Sequence, residues 1–144
     1  MKVRILATVG PICENGWPEQ ANGVVMIKLV QCVRRKPGLS RQEFRELWPP
    51  YAQQAGELAR ASNAKRCVVS TSLAVEQNLE IMQSRGTRAP YDGMVEIWWD
   101  RGSDVVAFVE SGAGDALLED FRRSQEAFMD LPNCTFFFAS EEGA

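Results

Sequence analysis

The sequence predicts a single α+β domain whose elements follow the order β-α-β, a connector, and β-α-β. Runs rich in β-branched residues, which are typical of strands, alternate with stretches in which apolar residues recur every three or four positions, the spacing of a helix. The chain has 144 residues, of which 45% are hydrophobic and 24% are charged. A chain of this size and composition buries one core and has no room for two.

The first strand is predicted over residues 24–33, where valine, isoleucine and leucine dominate. The strand is followed by a Pro37-Gly38 turn. A helix is predicted to begin shortly after this turn, because Ser40 stands three residues before Glu43, which is the spacing of a capping box. In that motif each side chain accepts a hydrogen bond from the backbone N–H of the other residue.

The predicted helix carries apolar residues at intervals of three and four, as expected for a helix that packs one face on a sheet. These residues are Phe44, Leu47, Trp48, Tyr51, Ala55 and Leu58. Pro49 and Pro50 interrupt the stripe and remove two helix hydrogen bonds, and even one interior proline costs about 3 kcal/mol. We therefore expect a kink or a break after Trp48.

The remaining elements follow from the same patterns, with glycine and proline marking the loops. They are a strand over 67–75, a short helix over 77–85, a strand over 94–99, helices over 103–110 and 115–129, and a strand over 134–139. This order corresponds to the split βαβ arrangement of a ferredoxin-like sheet, in which both main helices lie on one face.

The other face of this sheet needs a cover. Alternation along residues 94–99 points either Trp98 or Trp99 away from the helices, and the same holds for at least one of the three phenylalanines at 136–138. In a monomer that face would be a large apolar patch. We therefore expect a homodimer in which two sheets stack face to face, as a dimeric α/β barrel.

The chain contains no histidine, and this excludes several kinds of site. Ser-His-Asp triads, Cys-His dyads and histidine-ligated metal or haem centres all need at least one histidine. The four cysteines, Cys13, Cys32, Cys67 and Cys134, are far apart and form no CxxC pair, so we expect buried free thiols. The sequence predicts no metal site and no bound cofactor.

The charge and the hydropathy limit the partners of the chain. A formal net charge of -3 and a pI of about 5.1 provide no attraction for nucleic acid or for anionic membranes. No apolar stretch approaches the roughly 20 residues that cross a bilayer, and the N-terminus lacks the pattern of a signal peptide. We expect a cytoplasmic protein that binds neither nucleic acid nor membrane.

Three blocks of the sequence resemble proteins of the EthD family. They are residues 26–48 (MIKLVQCVRRKPGLSRQEFRELW), residues 91–98 (YDGMVEIW) and residues 128–130 (FMD). The resemblance assigns residues 26–144 to one domain and implies a dimeric α/β-barrel fold, which in this family is associated with the degradation of ethers or aromatic compounds. Residues 1–25 are then an N-terminal extension, and the sequence leaves open whether it is a misassigned start, an added strand or a flexible arm.

The sequence departs from the EthD pattern where chemistry would be expected. Many relatives carry a histidine four residues after the helix tryptophan, and Ala52 stands there in this chain. Ser124 and Gln125 stand where many relatives have an acidic pair, although Glu126 and Asp130 remain nearby. Both differences weigh against ordinary catalysis of the family type.

Two residues are predicted to handle protons. Tyr51 lies on the helical stripe next to the position of the missing histidine, where it would donate a proton or orient a carbonyl group. Glu96 lies in the middle of a strand beside aromatic residues, where burial would make its carboxylate a stronger base. The structural alternatives are a core tyrosine whose hydroxyl reaches water and a solvated strand position.

Four further residues are predicted to bind a substrate, namely Trp48, Trp98, Arg66 and Phe128. The three aromatic side chains suit a flat ligand and the arginine suits a carboxylate, although such aromatics are mostly core residues and an arginine at a strand end is usually solvated. The predicted function is a cofactor-independent tailoring or catabolic enzyme, an oxidoreductase, isomerase or lyase, that acts on a small apolar or aromatic metabolite. The alternative is a non-catalytic small-molecule-binding accessory protein.

Overall fold

The computed structural model describes Trp17 and residues 26–141. In this part of the chain the elements follow the order β1 (Met26–Val33), α1 (Arg41–Ala61), β2 (Arg66–Thr71), α2 (Glu76–Arg85), β3 (Gly93–Trp99), α3 (Gly102–Ser111), α4 (Asp115–Phe128) and β4 (Thr135–Glu141). A short 3-10 turn precedes β4. Apart from Trp17, the predicted extension over residues 1–25, which includes Cys13, lies outside the described residues.

The four described strands form one antiparallel sheet in the order β2-β3-β1-β4. The central strands β1 and β3 pair with Leu29 opposite Ile97, and β4 joins the other side of β1. Each βαβ unit therefore has a further strand inserted between its own two strands, as in the ferredoxin-like fold. The predicted α+β, ferredoxin-like fold class is confirmed, and α2 is the short helix expected in the connector.

Successive side chains along each strand alternate between the two faces of the sheet. The helices cover one face, which we call the helix-covered face, and the other is called the open face. The open face carries Lys28, Val30 and Cys32 of β1, Arg66, Val68 and Ser70 of β2, Met94, Glu96 and Trp98 of β3, and Thr135, Phe137 and Ala139 of β4. Trp99 points to the helix-covered face and joins the core there.

Helix α1 begins as predicted, because the Ser40 side chain accepts from the Glu43 N–H and the Glu43 side chain accepts from the Ser40 N–H. We expected a kink or a break after Trp48, and the break is wrong, since the helix runs unbroken through Pro49 and Pro50. Both prolines are exposed, so the carbonyl groups that lose their helix partners lie on the side of the helix that faces water. The apolar stripe is buried except for Leu47, which is 43% exposed.

Strand β2 is shorter than predicted and ends at Thr71. The chain then turns away from the sheet, with the Asn78 side chain donating to the carbonyl oxygen of Leu73 at 2.8 Å. Leu73 and Val75, which the sequence pattern placed in the strand, are instead exposed in the loop before α2. A local polar contact thus ends the strand even though apolar residues continue.

The open face exposes less apolar surface than predicted. Trp98 and Val30 are only 5% and 6% exposed, because the long side chains of Lys28 and Arg66 lie over the Trp98 ring. Phe137, a large apolar side chain of this face, is 44% exposed to solvent.

Trp17 lies in the core although it precedes the predicted domain. Its ring meets that of Phe138 edge-on, with 4.9 Å between the ring centroids. Gly102 makes room for it, because a Cβ atom on that glycine would lie 2.7 Å from Cε3 of Trp17. The tryptophan therefore belongs to the helix-covered core.

Candidate functional site

The six predicted site residues fall into two groups on opposite faces of the sheet. Tyr51, Trp48 and Phe128 lie together beneath the helices. Glu96, Trp98 and Arg66 lie together on the open face. One pocket shared by Tyr51 and Glu96 is therefore not formed, since the sheet separates the two side chains.

Tyr51 occupies the centre of an aromatic cluster. Its ring stacks on that of Phe121 of α4, with 4.6 Å between centroids and an interplanar angle of 4°. Phe128 approaches edge-on at 5.5 Å, and Trp48 lies at the same centroid distance. Tyr51 is 1% exposed, so its hydroxyl group is surrounded by protein.

The hydroxyl group of Tyr51 joins two amide side chains into a chain of hydrogen bonds, which we call the Gln31–Tyr51–Gln125 relay. It donates to Oε1 of Gln31 at 2.5 Å and accepts from Nε2 of Gln125 at 3.1 Å. Gln31 is buried on β1, whereas Gln125 on α4 is half-buried. The relay thus runs from the sheet, through α1, towards the surface of α4.

Burial raises the pKa of the Tyr51 phenol well above its ordinary value of 10.0. The hydrogen bonds with Gln125 and Gln31 lower this pKa, but by less than burial raises it. The phenol is therefore neutral at physiological pH and remains a hydrogen-bond donor. Such a group stabilises negative charge that develops on a nearby oxygen atom, but it does not act as a base.

Sequence reasoning missed Gln31 and Phe121, and it treated Gln125 only as a departure from the family pattern. Gln31 had a usable signal, because it is a polar residue at a helix-facing position of an otherwise apolar strand. A buried amide of this kind needs a hydrogen-bonding partner. Phe121 carried no signal beyond its place on the apolar side of α4.

The open-face group is built around the Trp98 ring. Nζ of Lys28 lies 5.5 Å from its centroid and the Arg66 guanidinium lies 4.8 Å from it. The indole N–H donates to Oε2 of Glu141 at 2.9 Å. Glu96 pairs with Lys28, with 3.3 Å between Oε1 and Nζ. Lys28 and Glu96 therefore neutralise each other, whereas Arg66 contacts the indole ring and Glu141 its N–H.

The Tyr91-Asp92-Gly93 segment has structural contacts. The Asp92 carboxylate accepts from the backbone N–H of Arg35 at 2.9 Å and forms an ion pair with its guanidinium. Gly93 lies against Trp48, where a Cβ atom would come within 2.7 Å of the indole Cη2. The segment thereby fixes the start of β3 to the end of β1.

A separate surface depression of about 490 Å³ lies between the turn after β1 and the end of α4. It is lined by Lys36, Pro37, Glu126, Met129, Asp130, Leu131 and Pro132. The lining contains neither the relay nor the Trp98 group, and we assign it no chemistry.

The described cysteines, Cys32, Cys67 and Cys134, are free thiols, and burial raises the pKa of each. A raised pKa keeps a thiol protonated and unreactive. Among residues 26–141 and Trp17, no group of three or more histidine, cysteine, aspartate or glutamate side chains is placed to hold a metal ion. None of the helices in this part of the chain has the length and apolarity that crossing a membrane requires.

The topology and the core define the class of this protein, a ferredoxin-like α+β domain with a cluster of aromatic and amide side chains beneath its helices. The sequence model of the EthD domain matches residues 36–132, and the chain belongs to the EthD family. The comparison with curated proteins found no match.

Two solved structures share the fold at low sequence identity. A dimeric protein of unknown function and ferredoxin-like fold from Bacteroides fragilis NCTC 9343 is 9% identical, with a TM-score of 0.56, 81% of this chain covered and 96% of that chain covered. A dimeric ferredoxin-like protein of unknown function from Thermobifida fusca YX is 11% identical, with a TM-score of 0.53 and coverages of 81% and 92%.

Proposed function

We propose that the chain is a homodimeric EthD-type protein that binds a small apolar or aromatic compound bearing one polar oxygen, and acts on it without a bound cofactor. The observation that carries this proposal is the Gln31–Tyr51–Gln125 relay inside an aromatic cluster. Aromatic walls with few placed polar groups are typical of small-molecule sites. The free thiols also support the cytoplasmic location expected from the sequence.

Gln125 lies on the route by which a ligand would reach the Tyr51 hydroxyl. It is half-buried, whereas Gln31 and Tyr51 are fully buried. A ligand oxygen that displaced the Gln125 amide would take its place beside the Tyr51 hydroxyl, with Phe121 and Phe128 against the apolar part of the ligand. The phenol has one proton, so it would turn that proton from Oε1 of Gln31 to the ligand oxygen.

The reaction proposed is one in which an enolate-type anion forms. A substrate carbon loses a proton or carbon dioxide, and the electron pair moves onto the oxygen held by Tyr51. Return of a proton at another carbon gives isomerisation, and return of a proton at the carbon that lost carbon dioxide completes decarboxylation. Attack of the enolate carbon on dioxygen, followed by protonation, gives a hydroperoxide, so that dioxygen is the oxidant. The neutral Tyr51 phenol stabilises the oxygen anion, while water takes the proton.

A non-catalytic binding role is the second candidate. It is favoured by Ala52 at the position of the family histidine. The hydrogen bonds of the Tyr51 hydroxyl to the amides of Gln31 and Gln125 favour it as well. Native mass spectrometry of the freshly purified protein would identify a retained ligand. Incubation of that ligand with the protein separates the candidates, because product formation supports catalysis and saturable binding without product supports the binding role.

Replacing Tyr51 with phenylalanine is expected to remove the preference of the site for an oxygen-bearing ring. We use 1-naphthol and naphthalene as probes, because they differ by one hydroxyl group. Wild-type protein should bind 1-naphthol about 3- to 10-fold more tightly, the value of one net hydrogen bond, and Tyr51→Phe should bind both equally. Tyr91→Phe is the matched control, since its hydroxyl bonds with Thr135 elsewhere. An unchanged preference in Tyr51→Phe would overturn the role of the relay.

The same variant tests the protonation state of the phenol. The pKa of Tyr51 is raised in the folded state, so above about pH 10 the folded protein keeps a phenol proton that the unfolded chain loses. The stability that the buried neutral phenol contributes is complete below the unfolded pKa of about 10 and declines as the pH rises above it. Denaturation between pH 9 and 11 should show a steeper loss of stability for wild-type protein and Tyr91→Phe than for Tyr51→Phe. Equal slopes would contradict the raised pKa.

The homodimer is proposed to form by stacking of two open faces. Phe137 lies exposed in the middle of β4, and both solved structures with this fold are described as dimeric. In such a dimer the Lys28–Glu96 pair and Trp98 lie between the sheets, so Glu96 is assigned to the interface rather than to catalysis.

Phe137→Glu is expected to convert the dimer into a monomer, because it introduces two uncompensated charges into a two-fold interface. Leu47→Glu is the matched control, since Leu47 is equally exposed, at 43% against 44%, but lies on α1 away from the open face. Sedimentation velocity should show a dimer for wild-type protein and for Leu47→Glu. A wild-type monomer at all concentrations would overturn the dimer, and so would a dimer that persists in Phe137→Glu.

A further inference from the structure

The connector between β2 and β3 carries apolar surface that its own chain leaves uncovered. Leu73, Val75, Leu79 and Ile81 are 70%, 41%, 48% and 56% exposed. Helix α2 has no buried residue, although a surface helix normally buries an apolar stripe. A ten-residue helix without such packing is marginal in water. We call residues 72–91 the arm.

The apolar residues of the arm form a stripe. Val75, Leu79 and Met82 follow at intervals of four and three, which places them on one side of α2. The side chains of Glu76, Glu80 and Gln77 lie away from this stripe, and Ile81 lies about 120° from it around the helix. The helix is therefore built to pack on a second surface.

The base of the arm lies on the open-face side of the sheet. The guanidinium of Arg34 lies 4.2 Å from the centroid of the Tyr91 ring and donates to the carbonyl oxygen of Ala89 at 2.8 Å. The Tyr91 hydroxyl shares a 3.0 Å hydrogen bond with Oγ1 of Thr135. Thr135 belongs to the open face, opposite Cys32. Residues 89–91 thus cross the end of β1 on the side where a second sheet would stack.

We propose that the arm packs against the partner protomer and clasps the dimer, with the stripe of Val75, Leu79 and Met82 as its contact surface. The inference rests on the homodimer proposed above and extends its interface beyond the sheets. A second copy of the chain is the occupant that continuity favours, because the arm starts at the edge of the face that this copy covers. Two-fold symmetry gives each dimer two such contacts.

Leu79→Glu tests the arm, with Gln77→Glu as the matched control on the opposite side of the same helix. Both variants add one negative charge at an exposed position of α2, so neither disturbs a buried side chain. Sedimentation equilibrium should give a dimer Kd about 100-fold higher for Leu79→Glu, since two leucine contacts, each equivalent to about a factor of ten, are lost. Gln77→Glu should stay within about twofold of wild-type protein, the small effect expected of a surface change.

The outcomes separate this inference from the dimer itself. A wild-type monomer overturns both. A dimer that Phe137→Glu dissociates, but whose Kd is the same in Leu79→Glu and Gln77→Glu, overturns the clasp and leaves the sheet interface standing. Vesicle binding by wild-type protein that Leu79→Glu abolishes without changing the dimer would assign the stripe to a lipid surface and would also overturn the clasp.

Hydrogen exchange gives a second measurement that needs no change in the arm. Backbone amides of α2 should exchange at least about tenfold more slowly in the wild-type dimer than in the Phe137→Glu monomer, because packing on the partner suppresses local opening. Equal exchange rates in the two proteins would show that the arm contacts nothing in the dimer.

Discussion

Replacing Trp17 with alanine is expected to lower the free energy of unfolding by about 3–5 kcal/mol, the usual cost of emptying a buried tryptophan site. Trp17 is 4% exposed and packs edge-on against Phe138. Gly102 shapes the site, because any side chain at that position would meet the indole ring. Chemical denaturation followed by circular dichroism measures the loss, at one protomer concentration because the protein is proposed to dimerise.

Gly102→Ala is the control for the contact between Trp17 and Gly102. In the wild-type chain the added methyl group would lie 2.7 Å from Cε3 of Trp17, so the variant should be destabilised by about 1–3 kcal/mol. In the Trp17→Ala background the same change should cost less than about 1 kcal/mol, because the methyl group enters vacated space. Additive effects would show that the two residues do not touch.

The Trp17 result also decides where the domain begins. The EthD resemblance starts at Met26 and assigns residues 26–144 to one domain. If Trp17→Ala loses several kcal/mol, Trp17 supplies part of the core of that domain. If its stability equals that of wild-type protein, the domain boundary predicted at Met26 stands.

Replacing Gly93 with alanine is expected to destabilise the fold by about 3 kcal/mol, the upper end for overpacking a core. The new Cβ atom would lie 2.7 Å from Cη2 and Cζ2 of Trp48. Trp48 has little freedom to move, because its ring stacks on Phe44 at 5.1 Å and meets Phe128 edge-on at 6.4 Å. Thermal and urea denaturation should both show the loss.

Gly56→Ala is the matched control for the Gly93 prediction. Gly56 lies inside α1, and a Cβ atom there would have only an ordinary contact, 3.6 Å from Nη1 of Arg60. This variant should gain about 0.5–1 kcal/mol, since alanine favours the helix. Trp48→Phe should reduce the cost of Gly93→Ala, and an unchanged cost in the double variant would contradict the proposed clash.

Local patterns predicted most of the fold because they depend on neighbouring residues alone. The capping box at Ser40 and Glu43 forms as its spacing requires. Alternation along β3 correctly placed Trp98 and Trp99 on opposite faces. Patterns failed where solvent or a side chain decides the outcome. Pro49 and Pro50 stay within α1 because they face water, and β2 ends early where Asn78 binds the carbonyl of Leu73.

The sequence by itself determined the order of the elements, the ferredoxin-like class and the chemistry that the absence of histidine excludes. Only the tertiary structure decided which polar groups meet. Gln31 and Gln125 are 94 positions apart along the chain, yet both bond to the hydroxyl of Tyr51. Glu96, which like Tyr51 was predicted to handle protons, faces the other side of the sheet. The physical reason is that alternation along a strand determines which of its residues share a face of the sheet. The packing of α1 and α4 determines which of the two faces encloses Tyr51.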